Sequence, residues 1–173
     1  MKKLLCIYYL LCIATLAYAQ DLRFNANGKF KIVQFTDVHY IFNDSRAEVA
    51  IERINEVLNA ENPNLVMFTG DIIYGKPAEE RIRTVLEQVS KRKIPFAVTF
   101  GNHDDEQGLS REELLKIIQR IPYSLTSTTK GISGTTNFIL PVKSSDGQKD
   151  AEIHYVFDSH SYSQIKEVGG YDY

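Results

Sequence analysis

The sequence holds 173 residues with a formal net charge of -2 at pH 7, 20 basic against 22 acidic side chains, and two cysteines. So mildly acidic a chain argues against sequence-independent nucleic-acid binding, whose affinity comes from Lys and Arg neutralising phosphates. The length suits one domain with a sizeable core.

In chain order, Lys2 and Lys3 precede an apolar stretch from Leu4 to Leu16 and a small-residue exit at Ala17-Tyr18-Ala19, followed by Gln20 and Asp21. This pattern predicts a secretory signal peptide over residues 1–19 and an exported product, periplasmic or secreted. The apolar stretch is shorter than the ~20 residues a helix needs to cross a bilayer, so no stable membrane anchor is expected. Cleavage after Ala19 removes two lysines and no acids, which takes the charge from -2 to -4. Cys6 and Cys12 leave with it, so any metal held by the remaining domain, residues 20–173, takes oxygen and nitrogen ligands.

Phe30 to Phe35, Leu65 to Phe68 and Phe96 to Phe100 read as buried strands. Between them, Ser45 to Ala60 carries Ala47, Ala50, Ile51, Ile54, Val57 and Leu58 on one helical face, with Ser45 and Glu48 spaced for a capping box. A second helical pattern opens at Pro77, suited to a first turn, and carries Ile82, Val85, Leu86 and Val89. A third runs from Ser110 to Ile121, with a capping box of Ser110 and Glu113. Beyond Tyr123 come strand-type runs at Thr136 to Val142 and Glu152 to Phe157, joined by a hairpin turn at Ser144-Ser145-Asp146-Gly147. Alternation of strand and helix implies an α/β fold with a parallel sheet, and ligands in such sheets sit beyond the carboxyl ends of the strands.

At those ends stand Asp37-Val38-His39, Gly70-Asp71 and Gly101-Asn102-His103-Asp104. Each alone reads as a turn or cap. Together they deliver carboxylate, imidazole and amide groups to one rim, which is donor chemistry for a pair of cations. Two divalent ions about 3.5 to 4 Å apart can clamp a phosphate when one carboxylate bridges them. Asp71, on a glycine turn between the other two strand ends, is placed to be that bridge. Asp37 and His39 would hold one ion, and Asn102 would give the other a neutral oxygen. His103 would donate a proton to the leaving oxygen or stabilise charge on the phosphoryl group, with Asp104 orienting its imidazole.

These three motifs, in this order, resemble the first three of the calcineurin-like metallophosphoesterases. Phe35-Thr36-Asp37-Val38-His39-Tyr40, Gly101 to Glu106 with Leu109 to Glu113, and Phe157 to Ser163 are similar to the purple-acid-phosphatase-like branch. The resemblance implies the N-terminal half of a four-layer α/β/β/α sandwich. It also implies two divalent or trivalent ions of iron, manganese or zinc, and hydrolysis of a small phosphoester through a hydroxide bridging them. The family completes its site with a further histidine and a Gly-His-x-His that are absent here, so the sequence, ending at Tyr171-Asp172-Tyr173, is expected to be part of a longer chain. His154, in a strand-like run, is expected to be packed or outward-facing; His160 is a weak candidate for the site. Tyr74 stands three residues after Asp71, where purple acid phosphatases place an iron-binding tyrosine, but His39 is present too. His39 is expected to be the ligand, with Tyr74 either packed or in contact with the ligand rather than the ion. Two rival readings stay open, a non-catalytic metal- or ligand-binding product and a nuclease, as does the oligomeric state.

Overall fold

The computed structural model describes residues 21–163 together with Ile165, Glu167 and Gly170. The leader read over residues 1–19 and the closing Tyr171-Asp172-Tyr173 lie outside the described residues. Strands β1 (Ile32–Phe35), β2 (Leu65–Thr69) and β3 (Phe96–Thr99) form a parallel sheet in the order β1-β2-β3. Helices α1 (Ser45–Glu61) and α2 (Ala78–Ser90) make the two crossovers, and α3 (Arg111–Gln119) follows β3 after a short 3-10 turn at Asp104–Gln107. A separate antiparallel hairpin joins β4 (Phe138–Lys143) to β5 (Asp150–Val156).

Side chains of a strand alternate between faces, and the sheet uses both. Val66, Phe68, Phe96 and Val98 enter one core with the apolar stripes of the three helices. Leu65 and Ala97, on the opposite face, pack on Phe138, Leu140, Val142 and Val156 of the hairpin. The result is three layers: helices, parallel sheet, hairpin. Each fully buried Leu, Ile or Phe in these cores contributes about 1.5 to 3 kcal/mol, so the layers hold the strand ends firmly where the motifs leave them.

The sequence pattern is met in outline and amended in detail. β1 is an edge strand, and only Val33 of its four residues is buried, not the whole run from Phe30. α1 is capped one residue earlier than expected: Asp44, in extended backbone, accepts from the Arg46 N–H at 2.9 Å, while Glu48 takes the Tyr40 hydroxyl at 3.1 Å. Pro77 is the N-cap of α2, not its first helical residue. On α3 the Ser110 and Glu113 box forms in both directions. The hairpin turns at Ser144 to Gly147, with Gly147 N–H bonded to the Ser144 carbonyl at 2.8 Å. Leu22 and Phe24 bond to Lys143 on the outer side of β4, while among the described residues no strand pairs with the far edge of β5. No helix among the described residues is long and apolar enough to cross a membrane.

Candidate metal centre

All three motif loops leave the carboxyl ends of the parallel strands and meet at one rim. Their backbones are bonded together: Asp37 N–H donates to the Gly70 carbonyl at 3.1 Å and His39 N–H to the Asp71 carbonyl at 2.9 Å. Asp37, His39 and Asp71 each adopt positive φ, at 55°, 45° and 52°. Non-glycine residues seldom hold that conformation, and where they do the surroundings impose it, commonly at functional sites. Gly70 and Gly101 let the second and third loops touch. A Cβ on Gly70, whose φ is 99°, would come 2.6 Å from the Gly101 nitrogen, and one on Gly101 would overlap the Asp71 carboxylate.

Within this rim His39, Asp71 and His103 each present one donor atom, all within 4.8 Å of one another. His39 Nε2 stands 3.5 Å from Asp71 Oδ2, and the other Asp71 oxygen accepts the His103 backbone N–H at 2.9 Å. One carboxylate therefore faces an imidazole with one oxygen and braces the third loop with the other. The rings of His39 and His103 lie 5.5 Å apart, and Tyr74 sits edge-on to both, at 6.0 and 5.5 Å. Tyr74 is 46% exposed, so of its two expected roles it is not packed but forms a wall of the site in contact with His39.

One assignment changes. Asp104 does not orient the His103 imidazole. Its carboxylate is fully buried and accepts backbone N–H groups from both sides of the rim: Asp71 and Gly101 on Oδ2 at 3.0 and 2.9 Å, Ile72 and Ile73 on Oδ1 at 2.8 and 3.3 Å. Burial pushes this carboxyl up to about 6, against the backbone N–H groups of Gly101, Ile72 and Ile73 that pull it down. Glu106 performs the orienting instead, with Oε2 2.7 Å from His103 Nδ1. The reason is local geometry, because side chains three apart eclipse in a 3-10 turn whereas neighbours diverge. That hydrogen bond holds the imidazole above the ordinary histidine value, against the opposing pull of burial.

The remaining candidates are placed as follows. Asp37 is exposed, with Oδ2 taking the Thr36 hydroxyl at 2.6 Å. Asn102 is half-buried, and its Nδ2 meets the hydroxyl of Tyr162 at 2.6 Å. His154 lies in β5, its Nε2 3.4 Å from Glu152, as its strand position implies. His160 Nε2 pairs with the Ser133 hydroxyl at 3.0 Å. Arg111 was not singled out from sequence, yet it binds the Gly101 carbonyl at 2.6 Å, Asp158 Oδ1 at 2.8 Å and the His160 carbonyl at 3.1 Å. It thereby ties the third motif to the segment after β5. An arginine opening a helix gives no hint of such a tertiary role.

Residues 30–170 match the sequence profile of the calcineurin-like phosphoesterases. The chain belongs to that family. Among curated relatives it is 36% identical to Phosphatase DCR2 of Saccharomyces cerevisiae over 179 residues, covering 90% of this chain and 31% of the relative. It is 29% identical to Probable inactive purple acid phosphatase 29 of Arabidopsis thaliana, covering 94% and 49%, and 28% identical to Probable inactive purple acid phosphatase 14 of the same plant, covering 87% and 44%. The chain thus spans between about a third and a half of the length of these relatives.

Proposed function

We propose that this protein is a metal-dependent hydrolase of phosphomonoesters or small phosphodiesters. The observation that carries this reading is the meeting of His39, Asp71 and His103 within 4.8 Å at the carboxyl rim of a parallel sheet, in a chain of the calcineurin-like phosphoesterase family. The donor set fits a cation pair: carboxylate, imidazole and amide, with no thiol among the described residues, suits iron, manganese or zinc. Asp37 and His39 would hold one ion, Asn102 the other, and Asp71 would be shared. When bound, such a pair neutralises phosphoryl oxygens and supplies a nucleophile at neutral pH.

The chain's own residues would do the rest. With Nδ1 fixed on Glu106, His103 has its other nitrogen available to give a proton to the leaving oxygen or to hydrogen-bond the phosphoryl group. The glycines at 70 and 101 let the second and third loops sit close enough for one carboxylate to serve both. Asp104 locks those loops through backbone N–H groups, so the donors are in position before substrate arrives. Tyr74 supplies a wall beside both imidazoles. The leader pattern over residues 1–19 supports export to the periplasm or the medium.

A second reading, a metal- or ligand-binding protein without turnover, draws support from the two plant relatives whose names call them probably inactive. Release of p-nitrophenol from p-nitrophenyl phosphate by the intact protein separates the two. The hydrolase reading expects turnover with Mn²⁺, its loss on chelation and its return on adding Mn²⁺. Binding of Mn²⁺ by calorimetry with no turnover on this substrate or on bis(p-nitrophenyl) phosphate would favour the second.

A further inference from the structure

The hydroxyl of Tyr162 stands 2.6 Å from Asn102 Nδ2, across sixty residues of sequence. The imidazole of His103 and, less strongly, Tyr162 hold the Glu106 carboxyl below its ordinary value, and Glu106 Oε2 stands 2.7 Å from His103 Nδ1. One phenol thus bears on both Asn102 and Glu106.

Hydrogen-bond polarity fixes what each atom does. A carboxylate only accepts, and a phenol has one proton to give. The Tyr162 oxygen accepts from the Asn102 amide nitrogen at 2.6 Å. That orientation turns the Asn102 carbonyl oxygen, the one atom of the amide able to ligate a cation, away from Tyr162. Without the phenol, the amide could rotate and offer its nitrogen instead, and nitrogen of a neutral amide does not bind these ions.

The segment that carries Tyr162 is itself anchored to the third motif. Ser161 Oγ donates to the backbone carbonyl of Asn102 at 3.2 Å. The buried guanidinium of Arg111 spans Gly101, Asp158 and His160. The residues just before Tyr162 are thereby held against the rim, although Tyr162 itself is 41% exposed.

We infer that Tyr162 is a positioning residue, whose hydroxyl sets the orientation of the Asn102 amide. The inference rests on the reading of Asn102 as a metal ligand. Partners that orient a ligand in this way commonly change metal affinity 10- to 100-fold when removed.

The test is calorimetric titration of Mn²⁺ into the intact protein and its Asn102→Ala, Tyr162→Phe and double variants, with a thermal midpoint recorded for each. Asn102→Ala identifies the bound equivalent that depends on the amide. Tyr162→Phe keeps the ring and deletes the hydroxyl, and should weaken that same equivalent by about tenfold with the midpoint unchanged. The double variant should bind as Asn102→Ala alone does, since an absent amide cannot be misoriented. Three results would overturn the role of Tyr162: unchanged affinity in Tyr162→Phe, a fall in the midpoint alone, or fully additive losses in the double variant. If Asn102→Ala itself binds Mn²⁺ as the parent does, the assignment of Asn102 fails and takes the inference with it.

Discussion

The carboxylate of Asp104 accepts the backbone N–H of Asp71 at 3.0 Å, so the acid beside the proposed proton donor serves the proposed bridging ligand. The same oxygen takes Gly101 N–H at 2.9 Å, which pins the second motif to the third. Asp104→Ala would leave three buried N–H groups and one half-buried one without that acceptor. Leaving buried donors unsatisfied costs about 1 to 3 kcal/mol per group, and water entering the space would recover part of it. A loss of roughly 3 kcal/mol or more is expected in urea unfolding. A variant as stable as the parent would show that the loops are held by other means.

His103 and Glu106 make a separable pair. Removal of a general acid commonly lowers turnover 10²- to 10⁴-fold, so His103→Ala should lower kcat within about that range while Mn²⁺ is largely retained. Emptying of the metal positions instead would make His103 a ligand, which its place within the 4.8 Å cluster also allows geometrically. Glu106→Gln keeps the shape but loses the charge beside Nδ1, and should give a smaller fall in kcat than His103→Ala with KM nearly unchanged.

Asp158 gives the fold a dependence on acid. Burial raises its carboxyl, but the Thr135 N–H, the Arg111 guanidinium and the Thr136 N–H outweigh that, and it stays below the ordinary value of 3.8. A carboxyl depressed in the folded state contributes stability that is present above its unfolded value and lost as pH falls through its folded one. Its side chain is wholly buried against Arg111. Breaking such a pair by removing one partner costs about 3 to 5 kcal/mol. Asp158→Asn should therefore be about 3 kcal/mol less stable at pH 7, and the gap to the parent should narrow near pH 3. Denaturant unfolding at both pH values checks this, and an equal gap at each would contradict it.

How far the sequence could be read depended on the range of the interaction concerned. The parallel strands and the helices announce themselves through apolar periodicity, and the meeting of the three motif loops at one rim follows from where those strands end. Choices between neighbours were harder. Asp44 and Ser45 are both good caps, and only the backbone angles show that Asp44 takes the role. Asp104 adjoins His103 in sequence and looked like its partner, while the 3-10 turn gives that place to Glu106, three residues on. That spacing was visible, and a helical reading of the turn would have found it. The contacts of Arg111 and Tyr162 were not legible. They join segments tens of residues apart, and no local pattern records a tertiary hydrogen bond.

The account stands most directly on Asp71. Asp71→Asn keeps the size of the side chain and an oxygen for the His103 N–H, but weakens the shared carboxylate. Hydrolysis of p-nitrophenyl phosphate by the intact protein with Mn²⁺, measured beside far-ultraviolet circular dichroism, isolates that change. Turnover should fall by more than about 100-fold, beyond what loss of an outer partner of a ligand produces, with the spectrum unaltered. Turnover within a few-fold of the parent would contradict the proposed site.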